Sequence, residues 1–347
     1  MWRRANMDWS SCRRLVMNKL LSRVAVRAAR FTIGAITVLL SGACAPTDAD
    51  HYMSDQGTFT SANTRLTLMQ QLDVGTLFRL RDMQASGVSM QTYTVGYAAA
   101  VAARGNDVYV VDRLAGQLLG LNLALGEARV LTNLADPDTH GLYVTRDQKI
   151  YVVDKIARSV RQFDADGRLL RSFEHLDLLP TPVDVTESSW GGDLIVADGL
   201  SNRLVRFNAL ASVMDTIGSN MTRNSIAQSI QSIASTANSI FVLDSEMGEA
   251  MRFSLRGNQT GNYGEDNLEF PTAMAVDACG RIFIADRSGQ GILVSLPDML
   301  QSAARAEPNM PFEGEITDLW VDGSNIYVAA GAEGIRIYLV EPPCGAF

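Results

Sequence analysis

Aspartate is the residue type whose spacing invites a chemical reading. Five short apolar runs end in it: VYVVD at Asp112, IYVVD at Asp154, LIVAD at Asp198, IFVLD at Asp244 and IFIAD at Asp286. A ring of such carboxylates would offer hard oxygen ligands to a divalent cation. An Asp at a strand end has a simpler use, because it accepts hydrogen bonds from backbone N–H groups of the following turn. A chemical site rarely needs one residue five times in equivalent places, so these five are expected to be structural. Histidine chemistry is thin, with only His51, His140 and His175 present. His140 follows the turn signal DPDT and reads as an ordinary surface residue, and a histidine-rich zinc site lacks partners. Nucleophilic catalysis fares no better: there is no G-x-S-x-G elbow, no phosphate-binding Gly-rich loop after a strand, and no Cys with a plausible His partner.

The elements carrying the aspartates recur. With a degenerate sixth copy, IYVAA at 326–330, the runs end at 112, 154, 198, 244, 286 and 330, and β-rich units repeating at such intervals indicate propeller blades. Another strand and turn precede most copies, a third strand follows, and often a fourth, so each unit reads as a four-stranded meander. The second strands are apolar at consecutive positions, as in Val108, Tyr109, Val110 and Val111, which requires burial of both faces. A parallel α/β sheet would supply that burial only through long crossover connections; stacked antiparallel blades supply it directly. The expected fold is all-β, a six-bladed β-propeller of four-stranded antiparallel blades.

Residues 139–173 (THGLYVTRDQKIYVVDKIARSVRQFDADGRLLRSF) and 271–288 (PTAMAVDACGRIFIADRS) resemble NHL repeats, and the resemblance covers roughly 97–340. Lactonase-like six-bladed relatives hold a divalent cation through a Glu, an Asn and an Asp on inner strands of separate blades. Aligning the inner strands here brings Ala100, Tyr143, Asp184, Ser232, Ala275 and Trp320 to corresponding places, with Asp318 two residues before Trp320. The resemblance therefore implies two candidate metal ligands, Asp184 and Asp318. A hard cation takes about six oxygens, and no third ligand is legible. No cofactor and no catalytic residue is expected.

The N-terminal region is built for export. Basic residues from Arg3 to Arg30 precede the uncharged run FTIGAITVLLSGA, the order of a secretory signal, and its apolar part is too short to span a bilayer. The following LSGAC resembles the lipobox of bacterial lipoprotein precursors, which implies lipid on Cys44 after cleavage before it. An ordinary secretory cut nearby is the alternative. Expected boundaries are a signal peptide at 1–43, a flexible tether at 44–64 and the propeller at 65–347. By the sorting rule of the lipoproteins this region resembles, Ala45 after the cysteine implies the outer membrane or periplasmic face over the inner membrane. Residues 1–43 hold eight of the 30 basic residues and one of the 38 acidic, leaving 22 against 37 and a net charge of −15. A body of that sign repels phosphate backbones, so no nucleic acid is expected, and membrane contact is expected through the lipid.

Three further expectations concern the ends and loops. Only EPPCGAF follows the third strand of blade six, so that blade must borrow its fourth from the N-terminal side, and GTLFRLRD (75–82) is the expected donor beside 335–340. The segments at 218–231 and 296–315 are long for blade connections, the second with room for a short helix over 297–306. They are either a binding face or tolerated insertions. Cys279, in the first turn of blade five, and Cys344, after the third strand of blade six, fall on the same face of neighbouring blades. A disulfide is expected unless their different distances from the axis exceed bridging range. The function these features favour is an exported, lipid-anchored, non-enzymatic binding scaffold of the cell envelope, with a protein or small-molecule ligand at the loop face. The alternative is a metal-dependent, lactonase-like hydrolase or lyase.

Overall fold

The computed structural model describes residues 64–73, 75–80, 92–188, 192–217, 226–264, 268–287, 291–295, 304–306, 312 and 314–344. The expected signal peptide, Cys44 and the expected tether as far as residue 63 lie outside them, as does His51. No helix occurs among the described residues.

Each repeat forms one antiparallel blade. The inner strands are Ala98–Arg104, Leu142–Val144, Pro182–Glu187, Ile230–Ser235, Pro271–Val276 and Asp318–Asp322. The second strands are Asp107–Asp112, Ile150–Asp154, Leu194–Asp198, Ser239–Asp244, Ile282–Asp286 and Asn325–Ala329, and each pairs with its inner strand on one side and a third strand on the other. Every inner strand touches the inner strands of both neighbouring blades, and the ring closes from blade six to blade one. The chain is a six-bladed β-propeller.

The consecutive apolar runs have the predicted reason. Ile150–Asp154, Leu194–Asp198 and Ile282–Asp286 are buried at every position, because both faces of a blade meet a neighbour. There is accordingly no single core. Six apolar clusters form, one at each interface between successive blades, such as Val111, Leu118 and Leu131 of blade one against Val144, Ile150 and Phe163 of blade two.

Closure follows the expected principle with a different strand. Arg65–Leu72 pairs antiparallel with Ile335–Glu341, from Arg65 opposite Glu341 to Leu72 opposite Ile335. The segment expected to do this instead lies on the outer edge of blade one, where Phe78–Leu80 pairs parallel with Glu127–Asn133 and antiparallel with Thr92–Tyr93. The reason is the wet outer edge. An outermost strand need not run continuously apolar, and RLTLMQQL buries Leu66 and Leu72 while exposing Met69 and Gln70 between them. Choosing the donor by continuous apolarity therefore selected the wrong segment. The expected helix over 297–306 is also corrected where it can be followed: Ala304–Ala306 is the outer strand of blade five, paired with Ile292–Val294. Its remainder, like 218–225 of the other long connection, is outside the described residues.

The disulfide between Cys279 and Cys344 is formed, with Cα atoms 5.8 Å apart, inside the usual bridging range. Buried Arg281 works beside it. Its guanidinium pairs with Asp277 and donates to the Pro342 carbonyl at 2.8 Å, so the tail after blade six is fixed to blade five twice.

Candidate functional site

The repeated aspartates act as turn clamps. Asp244 is typical: one carboxylate oxygen accepts from Glu246 and Met247 N–H in the following turn, and the pair also takes Gln228 and Ser229 N–H from the connection entering the same blade. Asp112 does the same with Leu114, Ala115, Gly96 and Tyr97. Asp198 takes Thr181 and Ser201, and Asp286 takes Glu269 and Phe270. Asp154 takes Ala157 N–H and pairs with Arg161. Blade six has Ala330 in this place, and there Glu333 in the turn accepts the N–H of Gly314 in the incoming connection. The structural role thus extends further than expected, from the turn to the strand entry.

In blades one to four the clamped turn closes with a left-handed residue four places after the Asp: Gly116, Arg158, Asn202 and Gly248 have φ between 48° and 66°. With the turn N–H groups directed at the carboxylate, the residue two or three places after it points away from the blade. In blades one to four this tip is aliphatic. Leu114, Ile156 and Leu200 are 76, 69 and 70% exposed, and Met247 is exposed as well. Because Asp112 pairs with both Ala98 and Gln117, and Gln117 with Asn133, these turns share a face with the blade connections. Exposed Leu176 and Phe270 belong to that same face. The apolar arc was readable in the sequence as DRLAG, DKIAR and DGLSN, where a turn tip has no folding reason to be aliphatic.

The axis holds the second feature. The residue opposite the one before each strand-ending Asp, or Ala330 in blade six, is Ala100, Asp184, Ser232, Ala273 and Asp318 in blades one, three, four, five and six. In blade two it is Gly141, whose carbonyl accepts from Val153 N–H. Asp184 and Asp318 are therefore true equivalents. Tyr143, Ala275 and Trp320, aligned with them in the sequence, lie two residues further along. The hairpins between first and second strands differ in length, so counting back from the second strand loses register.

Both carboxyls are buried and reach across to the next blade. Asp184 Oδ2 accepts from Ile233 N–H at 2.7 Å and Ser232 Oγ at 2.9 Å, and its Oδ1 from Val185 N–H at 2.8 Å. Asp318 Oδ2 accepts from Val101 N–H at 2.9 Å and Oδ1 from Leu319 N–H at 2.8 Å. Burial opposes the charged form. It pushes Asp184 up to about 7, against the pull of its hydrogen bonds. Asp318 is raised well above the usual carboxylate range, first by burial and then by the charge of Asp184.

A cavity of about 130 Å³ lies on the axis, with walls from all six blades, including Asp184, Asp318, Ser232, Tyr143, Trp320 and Arg104. Trp320 donates its Nε1–H to the Ala103 carbonyl at 2.9 Å, and Tyr143 packs edge-on at 5.2 Å between centroids. Arg104 pairs with Asp322 at 2.7 Å and stands over the Trp320 ring. No sequence signal had singled out Arg104, a strand-end cation like many others. His140 is not the surface residue expected. It is partly buried, its Nδ1 hydrogen bonds the Ala99 carbonyl at 3.1 Å, and burial lowers its pKa. His175 caps the next connection by accepting Leu178 N–H. A set of three potential ligands does occur at Asp277, Cys279 and Cys344, but the two sulfurs are joined to each other.

No protein-family description matches the chain, and no curated protein sequence is similar to it. Solved structures are. A protein of unknown function from Bacteroides thetaiotaomicron matches with a TM-score of 0.58 at 16% identity, over 80% of this chain and 76% of that one. Virginiamycin B lyase from Staphylococcus aureus, in a catalytically inactive form with quinupristin, gives 0.56 at 12% over 80% and 99%. A gluconolactonase from Xanthomonas campestris gives 0.53 at 14% over 79% and 98%. At these identities the likeness is one of fold alone.

Proposed function

We propose that this protein is an exported, lipid-anchored propeller of NHL-type repeats that works as a non-enzymatic docking scaffold of the cell envelope, binding a protein partner on the face that carries the blade connections. The observation that carries this reading is the apolar arc of Leu114, Ile156, Leu200 and Met247, set on clamped turns of four successive blades. Each of these side chains is exposed on a turn held by a buried aspartate, and exposed apolar side chains repeated on one face of successive blades suit an interaction surface. The lipid on Cys44 supplies the anchorage, and the acidic body argues against nucleic acid and against direct adsorption to anionic bilayers.

The triple variant Leu114→Ser, Ile156→Ser, Leu200→Ser tests it. Cross-linking and affinity capture from envelope extracts should recover a partner with the native protein and lose it with the variant, at unchanged thermal stability. Equal recovery by both sinks the reading. Cys44→Ser should move the protein from the membrane fraction to the soluble fraction.

A second reading, a metal-dependent hydrolase or lyase, draws support from the equivalent register of Asp184 and Asp318 and from neighbours that include a lyase and a gluconolactonase. The docking reading is favoured over it because both carboxyls already bind backbone N–H groups of adjoining blades. Elemental analysis of the purified protein discriminates: stoichiometric calcium or zinc, lost in Asp184→Asn, would favour the enzyme.

A further inference from the structure

We propose that the axial cavity is a binding site for a compact organic ammonium ion, such as a methylated amine of about six non-hydrogen atoms, comparable in size to benzene. The inference does not rest on the docking face, which lies on separate elements. Size comes first. A cavity of about 130 Å³ is close to the roughly 150 Å³ that admits benzene in a protein interior. It is far larger than a bare metal ion, which would need most of its oxygen shell from water here.

Charge selects the class of ligand. Asp184 and Asp318 enter the cavity wall from opposite blades, and neither forms an ion pair among the described residues. The cation on the wall, Arg104, is committed to Asp322 and to the Trp320 ring. An anion entering this space meets two carboxyls, whereas a cation supplies the positive charge that their backbone and hydroxyl donors do not. A cation with apolar substituents satisfies both tiers of the wall, with carboxyls at one level and the Tyr143 and Trp320 rings two residues further along. Tryptophan and tyrosine rings pack methyl groups, and the quadrupole at a ring face favours positive charge. Trp320 is fixed for this by its bond to the Ala103 carbonyl. Small residues make the room: Ala234 and Ala275 line the same space.

Calorimetric titration of the purified protein with tetramethylammonium chloride tests the proposal against two controls, tert-butyl alcohol, which has nearly the same shape without charge, and calcium chloride. The expected result is one-to-one tetramethylammonium binding with a Kd on the order of 1 mM or tighter, within what a five-atom ligand can reach. The alcohol should bind at least tenfold more weakly. Asp184→Asn and Asp318→Asn should each weaken the ammonium at least tenfold while the thermal transition persists. The alcohol comparison needs no variant, so a variant that fails to fold leaves the proposal testable. Absence of tetramethylammonium binding, equal binding of the alcohol, or stoichiometric calcium that blocks the ammonium would each overturn it. Loss of partner capture by the arc variant would be unaffected by any of these outcomes.

Discussion

Asp184 and Asp318 hold the same register in blades that stand opposite each other in the ring, and each takes a backbone N–H of the next blade, Ile233 and Val101. The chain is thereby stapled at two opposed interfaces by groups whose charge is costly to bury. In both, the folded state holds its proton to higher pH than an unfolded carboxyl, which titrates near 3.9. Their contribution to stability is full below pH 4 and declines as pH rises, for Asp184 through about 7, at no more than about 1.4 kcal/mol per pH unit for each group. Urea unfolding midpoints between pH 4 and 8 should therefore show a less negative slope for Asp184→Asn than for the native protein. Parallel slopes would contradict this.

Truncating a turn clamp should cost more than truncating an ordinary polar residue. Asp244→Ala strips the partner from Gln228, Ser229, Glu246 and Met247 N–H. At about 1–3 kcal/mol for each N–H that stays buried and unpaired, a loss of about 3 kcal/mol or more is expected in chemical denaturation. Gln259→Ala, which loses one exposed side-chain hydrogen bond to Asn262, should cost under about 1 kcal/mol.

The seam gives a direct comparison between two neighbouring segments. Leu66→Ala empties a site buried between blades five and six, at an expected cost of about 2–5 kcal/mol. Leu77, exposed and outside the closing strand, should tolerate the same change within about 0.5 kcal/mol. Similar losses at both positions would mean that the seam is not where the pairing puts it.

Gly141 tests the axis. A Cβ there would lie 2.3 Å from Val153 Cγ2 and 2.9 Å from the Val183 carbonyl, contacts that neither blade can relieve without moving. Gly141→Ala should destabilise by about 1–3 kcal/mol through overpacking, read as a lowered melting temperature.

Cys279 and Cys344 enclose 65 residues, for which the chain-entropy account gives about 4 kcal/mol of stabilisation. Reduction, or Cys344→Ser, should lower the denaturation midpoint accordingly. Under denaturing, non-reducing conditions neither cysteine should react with a thiol reagent.

The sequence alone determined the blade. Five Asp-terminated runs, apolar on both faces and set at nearly constant intervals, admit few folds other than stacked four-stranded sheets, because burial of both faces is a local demand written into consecutive residues. It also determined that the ring needs a strand from the N-terminal side and that Cys279 and Cys344 fall on one face. What it left open depends on register across space. Which N-terminal strand closes blade six turned on an outer edge that need not run continuously apolar, where Leu66 and Leu72 carry a weaker pattern than the runs elsewhere. That Asp318, rather than Trp320, is the counterpart of Asp184 turned on hairpin lengths that differ between blades. Charge and size at the axis arise only when six inner strands, far apart in the chain, converge at one level, and no local pattern records which side chains will meet there.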